Sequence, residues 1–252
     1  MTRRLSVTAL TNRGVVRAGN EDAIGIGSWA SHADLETPVQ RLLDPRASLA
    51  CAVADGMGGH EGGSLASRFV ISRLGREARD LVDARNVFDF VRRLDADLVR
   101  LGAEHGFTSP PGSTIAAVVY RPDAKALIFN VGDSRVYRLR DRSVETLSTD
   151  DSPGAAGPDG RTGSRGHMLT QAIGGKFAPE PIDAHIIEGV DVDAAYLLCT
   201  DGVTDVIGNS ELGGLAGSNA GDDIGFVTGV FDLAMQRGGP DNISLCVVRP
   251  VD

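Results

Sequence analysis

Five short acidic signatures stand apart along the chain: Asn20-Glu21-Asp22, Asp55-Gly56-Met57-Gly58-Gly59, Gly132-Asp133-Ser134-Arg135, Thr200-Asp201-Gly202 and Asp241-Asn242. Four stand directly against an apolar run, and the first is followed by one. A carboxylate at the end of a buried strand is costly unless something compensates it. One or two such cases would be ordinary loop starts. Five in a small domain imply carboxylates gathered around bound cations, and oxygen donors suit hard ions such as Mg²⁺ or Mn²⁺. That chemistry points to a metal-dependent enzyme working on phosphate.

The segment around Asp55 is the most specific. A run of small apolar residues from Ala50 to Ala54 ends in Asp, and a glycine-rich turn follows. Gly56 would let its carbonyl approach an ion with no side chain in the way. An Asp capping a helix is the bland alternative, and it leaves the glycines unexplained. Leu197-Leu198-Cys199-Thr200-Asp201-Gly202 repeats the device, although alone it is common turn chemistry. Asp241-Asn242, before Ile243-Ser244-Leu245, would by itself be a hairpin turn. Adjacent acids point to opposite sides of an extended chain, so Glu21 and Asp22 need not share one ion. Arg17 is the nearest candidate for gripping phosphate, because guanidinium offers a rigid fork of donors. Its alternative is a salt bridge that merely positions Glu21 or Asp22.

The elements that must hold these residues follow from hydrophobic period. Strands are expected over 5–10, 23–27, 48–54, 114–120, 126–131, 135–139, 144–147, 182–187, 195–199 and 243–248. Residues 31–46 read as a loop with one helical turn at 39–43. From Gly63 the period becomes helical, and a second helix starting near Asn86 carries the stripe Val87, Phe90, Val91, Leu94, Leu98 and Leu101. That stripe is core and not a binding surface. A late helix spans 222–236. Strands joined by turns as short as 121–125 must be antiparallel, which argues against a Rossmann-like sheet. The pattern predicts an α+β fold, two antiparallel sheets face to face with helices outside. Residues 149–166 have no periodicity and are dense in Gly, Pro, Asp, Ser and Arg, so they predict a mobile flap-like loop near the site.

Composition narrows the partners. A formal charge of -9 and a pI near 5.0 argue against general affinity for nucleic acid or anionic membrane, yet allow a local basic pocket for one phosphate. No stretch approaches a membrane span, and the start lacks a secretory pattern. Cys51, Cys199 and Cys246 lie inside strand-like runs and read as buried thiols of a reducing compartment, which suggests a cytoplasmic protein. With no repeat and no linker, residues 1–252 read as a single domain.

Taken together, these motifs resemble the metal-dependent protein phosphatases, the PP2C-like or PPM serine/threonine phosphatases, in their compact bacterial type. The resemblance runs from Thr11 to Val248 through Arg17-Ala18-Gly19-Asn20-Glu21-Asp22, Ala54-Asp55-Gly56-Met57-Gly58-Gly59-His60, Gly112-Ser113-Thr114, Asn130-Val131-Gly132-Asp133-Ser134-Arg135, Leu169-Thr170-Gln171-Ala172-Ile173-Gly174, Thr200-Asp201-Gly202 and Gly239-Pro240-Asp241-Asn242-Ile243. Any one motif is weak; their number and order are specific. The resemblance implies a four-layer α-β-β-α sandwich. It implies two catalytic Mn²⁺ or Mg²⁺ ions, with Asp55 bridging, the Gly56 carbonyl on one ion, and Asp201 and Asp241 completing the site. Glu21 and Asp22 would supply a ligand and supporting contacts. Asp133 and Asp201 would hold a third, weaker ion found in bacterial members. The implied reaction is hydrolysis of phosphoserine and phosphothreonine by a metal-activated water, Arg17 holding the phosphoryl oxygens. Substrates would be phosphorylated proteins made by a serine/threonine kinase, and the enzyme a monomer.

The chain departs from the family pattern in places. Many eukaryotic members carry histidine where Met57 stands, which leaves the acid for the leaving group unassigned between His60 and a metal-bound water. The 149–166 loop is shorter and richer in glycine than the family's flap. Arg161 and Arg165 there could meet an acidic phosphopeptide or belong to a solvated loop. Two other readings compete: a catalytically silent binding module of the same fold, and a phosphatase for small phosphomonoesters such as nucleotides. Loss of a ligand would mark the first, but Asp55, Asp201 and Asp241 are all present. A base-stacking pocket would mark the second, and aromatic residues make up only 5% of the chain.

Overall fold

The computed structural model describes residues 3–107, 109–122, 125–152, 159, 161, 169–175 and 181–251, without the His60 side chain. Strands β1 (Arg4–Asn12), β2 (Ala23–Ile26), β3 (Trp29–Ser31), β4 (Val39–Leu43) and β5 (Leu49–Ala54) come first. The two-residue β6 (Gly56–Met57) leads into α1 (His60–Glu77), and α2 (Ala84–His105) follows. Next are β7 (Gly112–Ser113), β8 (Ile115–Tyr120), β9 (Ala126–Val131), β10 (Arg135–Arg140), β11 (Ser143–Thr146) and β12 (Ile173–Gly174). The chain continues through β13 (His185–Val190), β14 (Ala195–Cys199), α3 (Asp201–Thr204), α4 (Asn209–Ser218), α5 (Asp223–Gln236) and β15 (Ile243–Val251).

Two six-stranded sheets run in the orders β11-β10-β14-β15-β1-β4 and β13-β9-β8-β5-β2-β3, with a small β12-β7-β6 sheet beside them. Every ladder among the described residues is antiparallel, as the short turns require. The layering follows from side-chain alternation. On β5, Ala50, Ala52 and Ala54 pack under α1 and α2 with Leu74, Phe90 and Leu94. Cys51 and Val53 face the other way, into the core between the sheets with Val7, Tyr196 and Val248. A strand buried on both faces reads as a continuous apolar run, which is why β5 stands out in the sequence. A third core joins Leu10, Leu197 and Leu245 to Phe226, Val227 and Val230 of α5. The result is the expected four-layer α+β sandwich.

Residues 39–43 are a strand and not a helical turn: β4 pairs antiparallel with β1, Leu43 opposite Leu5 and Val39 opposite Ala9. Val39 and Leu43 are four apart, which places them on one face in a helix or in a strand. Packing of both against the inter-sheet core selects the strand. The second helix begins before Asn86, because the Asp83 carboxylate accepts from the Asn86 backbone N–H at 2.8 Å and caps it. The first helix starts at His60, not Gly63. The strand expected over 182–187 is displaced to His185–Val190.

Close backbone contact explains the glycine after Asp201. A β-carbon at Gly202 would lie 1.9 Å from the Asn242 carbonyl oxygen, so α3 can rest on the start of β15 only without one. Gly202→Ala is therefore expected to force a backbone shift costing about 1–3 kcal/mol and to lower Tm by roughly 3–10 °C. A thermal melt unchanged to about one degree would show that the two segments part freely.

Candidate active site

Both large sheets deliver a carboxylate to the same end of the sandwich. Asp55 follows β5 and Asp133 lies in the β9–β10 turn, whereas Asp201 follows β14 and Asp241 precedes β15. With Glu21, just before β2, they line one cleft of about 810 Å³, together with Arg17 and Gly56. Seven of the eight expected site residues are thus brought together. Asp22 does not line the cleft; it is buried behind it, where the Thr200 hydroxyl donates to its Oδ2 at 2.9 Å.

Backbone geometry fixes the floor. The Asp55 N–H donates to Thr114 Oγ1 at 2.9 Å, and the Thr114 N–H donates to the Asp55 carbonyl at 2.9 Å. Thr114 Oγ1 lies 2.7 Å from the Ser134 hydroxyl, beside Asp133. A β-carbon at Gly56 would lie 2.1 Å from the Gly63 carbonyl oxygen and 2.6 Å from that of Glu21. The Asp55 turn, α1 and the Glu21 segment therefore meet backbone to backbone. Asn242 ties in the remaining loop: its Oδ1 accepts from the Glu21 N–H at 2.8 Å, and its Nδ2 donates to the carbonyls of Arg13 and Gly19 at 3.0 and 2.9 Å.

Electrostatics follow from the crowding of like charges. Burial, then the charges of Asp22, Asp201, Asp133 and Asp241, push the Asp55 carboxyl well above the usual carboxylate range. Burial pushes Asp133 up to about 8, with Asp201 and Asp150 adding to it. Burial likewise pushes Asp22 up to about 8, against hydrogen bonds from Ser244 and Thr200. Arg17 is the cation paired with this group: its Nη2 lies 2.5 Å from Asp241 Oδ2, and its side chain is half exposed. The hydrogen bond to Asp241 raises its already high pKa against the opposing effect of burial. Among the described ion pairs Arg17 partners Asp241, and not Glu21 or Asp22.

Several contributors were not legible beforehand. Asp205 also lines the cleft, four residues after Asp201 and thus on the same side of the short α3 turn. That spacing was the available signal. Asn20 Nδ2 donates to Thr11 Oγ1, which lies 2.7 Å from the Ser244 hydroxyl, and the Ser244 N–H donates to Thr200 Oγ1. This chain of hydroxyls supports Asp22, and single Ser or Thr residues in strands give no sequence signal for it.

The base of the expected flap is pinned. Arg135, 2% exposed, holds Asp150 through Nε and Nη2, the latter at 2.6 Å from Oδ2. Asp151 accepts from the Gly132 N–H at 2.8 Å and meets His185 Nε2 at 2.8 Å. Asn130 binds the Thr149 carbonyl and N–H. Arg161 lines the cleft and donates to the Asp205 carbonyl at 3.3 Å. Residues 153–158, 160 and 162–168, with Arg165 and most of the expected flap, lie outside the described residues, as does the His60 side chain. Met57 lines the cleft, and its thioether carries no proton to donate. Cys51, Cys199 and Cys246 are buried free thiols, burial pushing Cys199 up to about 12.

Among the described residues, no three His, Cys, Asp or Glu side chains are drawn into a closed cation cage. The carboxylates stand around the cleft wall, near enough for Asp22, Asp201, Asp133 and Asp241 to raise the pKa of Asp55.

Two antiparallel sheets between helix layers, with acidic loops converging at one end, define the phosphatase 2C class of folds. Residues 41–219 match the family model described as Protein phosphatase 2C, and the chain belongs to that family. It is 29% identical to the serine/threonine protein phosphatase PstP of Mycobacterium tuberculosis, over 98% of this chain and 45% of that protein. The chain thus spans under half the length of that relative. It is 30% identical to a putative protein phosphatase 2C-type of Streptococcus pyogenes, over 78% of this chain and 84% of the relative. A solved PstP catalytic domain in complex with two manganese ions shares the fold, with a TM-score of 0.72 and 24% identity, covering 98% of this chain and all of that one. The matched residues leave out Arg17, Glu21, Asp22 and Asp241; the structure brings Arg17, Glu21 and Asp241 to the cleft that Asp55 lines and buries Asp22 behind it.

Proposed function

We propose that this protein hydrolyses phosphoserine and phosphothreonine in other proteins, in a reaction that needs two divalent ions, Mn²⁺ or Mg²⁺. The observation that carries the reading is the convergence of Glu21, Asp55, Asp133, Asp201 and Asp241 with Arg17 on one cleft. The residues fit such ions: every candidate side-chain ligand offers carboxylate oxygens, Gly56 lines the same cleft, and the aspartates crowd closely enough to raise Asp55's pKa. Asp55, Gly56, Glu21, Asp201 and Asp241 would hold the pair, and Asp133 with Asp201 a third, weaker ion. When bound, divalent ions make a water more acidic and offset charge on the phosphoryl oxygens.

The chain's own residues do the rest. Arg17 orients the phosphoryl group by exchanging an Asp241 oxygen for a phosphate oxygen, which its exposed fork permits. Thr114 fixes the Asp55 backbone, and Asn242 fixes that of Glu21. Thr200 and Ser244 support Asp22, so that its role is to position and not to touch substrate. The substrates we envisage are proteins phosphorylated by a bacterial serine/threonine kinase, the catalytic unit a single monomeric domain over 1–252, and its place the cytoplasm. The relatives' names support the substrate class. Among the described residues, no helix is long and apolar enough to cross a membrane.

A phosphatase assay with phosphoserine peptides, phosphothreonine peptides and nucleotides, with Mn²⁺ or with chelator, tests the reading. Peptide hydrolysis that chelation stops is expected. Hydrolysis of nucleotides alone, or no turnover by protein with Mn²⁺ bound, would overturn it.

The acidic cleft also predicts a pH dependence. Asp22 and Asp133 are pushed up to about 8, above the unfolded carboxylate value near 4. The folded state then binds protons that the unfolded state has lost, so the stability is complete below about pH 4 and fades as pH rises to about 8. Glu211, held down to about 2 by Arg237, contributes fully above about pH 4.5 and does not alter this window. In chelator, Tm should fall by about 5 °C or more between pH 5 and 8, and Mn²⁺ should flatten the slope. A flat profile in chelator would show that these acids are already compensated within the fold.

A further inference from the structure

A second cavity, of about 390 Å³, shares no lining residue with the acidic cleft. It forms where β3 and the residue after it pass the middle of α1. Its polar wall carries the cations Arg68, Arg73 and Arg76 from α1, with the His32 imidazole after β3 and the hydroxyl-bearing Ser31 and Ser72 beside them. Among the described residues no Asp or Glu lines it, in a chain that carries 34 of these against 25 Lys and Arg. Residues 68, 72 and 76 are spaced four apart, so they stack along one helix face.

The three arginines are not equivalent. Arg73 is committed to Glu77 and Asp97, both at 2.6 Å, and its guanidinium lies over the Phe69 ring. Arg68 and Arg76 are exposed and form no ion pair with a described residue. Behind them Leu65, Phe69, Ile71 and Ala23 make an apolar floor. Arg68 and Arg76 stand about two helical turns apart, so each offers its own guanidinium fork to a tetrahedral oxyanion, and the floor suits a carbon body attached to it.

We propose that this cavity binds an organic phosphomonoester, the phosphorylated side chain of a peptide, at a place separate from the acidic cleft. His32 reports the field there: burial, then the Arg68 charge, lowers its pKa. A bound dianion reverses the second cause and draws a proton back onto the imidazole. Binding there is independent of the hydrolytic role of the cleft.

The test follows the His32 ring resonances by NMR in the Mg²⁺-loaded protein. The probes are a peptide carrying a non-hydrolysable phosphonate in place of phosphoserine and, separately, inorganic phosphate. The phosphonopeptide is expected to raise the His32 pKa saturably, by about half a unit or more. Arg68→Gln with Arg76→Gln should weaken that response at least about tenfold, at exposed positions where substitutions leave stability nearly unchanged. Asp55→Asn, which alters only the other cleft, should keep it. A response that is absent, insensitive to the double variant, or lost in Asp55→Asn would overturn the site. Inorganic phosphate binding as tightly as the phosphonopeptide would overturn the organic part of the assignment.

Discussion

Asp55→Asn is expected to lower kcat/KM on a phosphopeptide by about 10³-fold, roughly 4 kcal/mol of transition-state stabilisation. The side chain stands at the centre of the acidic group, where four other aspartates act on its pKa. Asparagine keeps the size but removes one negative oxygen shared, in the proposed site, between two ions. The fold should not suffer. The backbone hydrogen bonds to Thr114 do not involve the substituted group, and one source of repulsion is gone. In chelator the variant's Tm should equal or exceed that of the unsubstituted protein, which separates lost chemistry from lost structure. Near-wild-type turnover under limiting Mn²⁺ would sink the assignment of Asp55.

Arg17→Ala should reduce kcat/KM by roughly 30–150-fold, about 2–3 kcal/mol, chiefly through a higher KM for phosphopeptide. The guanidinium sits at the cleft wall, half exposed and held by Asp241 at 2.5 Å. An arginine with one carboxylate partner and an exposed edge can take phosphate by rotation, without unfolding anything around it. Arg17→Lys should recover only part, since the charge stays and the planar fork is lost. The rival role is structural, with Arg17 steadying Asp241. Metal titration separates the two: a large fall in Mn²⁺ affinity with phosphate-analogue binding unchanged would defeat the clamp.

Strand patterning and the acidic motifs were legible because each is local. β9 and β14 fall at the expected residues, since both run apolar between turn residues. α4 was not legible: Asn209–Ser218 contains three glycines and no apolar stripe, and it is held by packing on the rest of the fold. β4 is ambiguous in the sequence because a four-residue spacing suits two geometries, and its neighbour β1 decides between them. At the site, the aspartates announced themselves by their position beside apolar runs. The Thr11–Ser244 and Thr200–Asp22 contacts did not, because they join residues 233 and 178 positions apart. Nor could the sequence divide Glu21 from Asp22, one facing the cleft and the other buried behind it.

The pairing of β1 with β15 has a consequence for the order of events during synthesis. Arg4 lies opposite Val251, and β15 fills the place between β1 and β14 in the middle of its sheet. Asp241 and Asn242, immediately before β15, complete the cleft and fasten the Glu21 segment. While the nascent chain grows, β1 therefore waits for its neighbour until the segment out to Val251 has been made, about 10–50 s at ordinary elongation rates. Until then one edge of β1 is open to unwanted partners, and the cleft lacks a carboxylate and its fastening loop. A chain whose β15 has not yet emerged therefore cannot assemble the cleft, and closing it is a late step of folding.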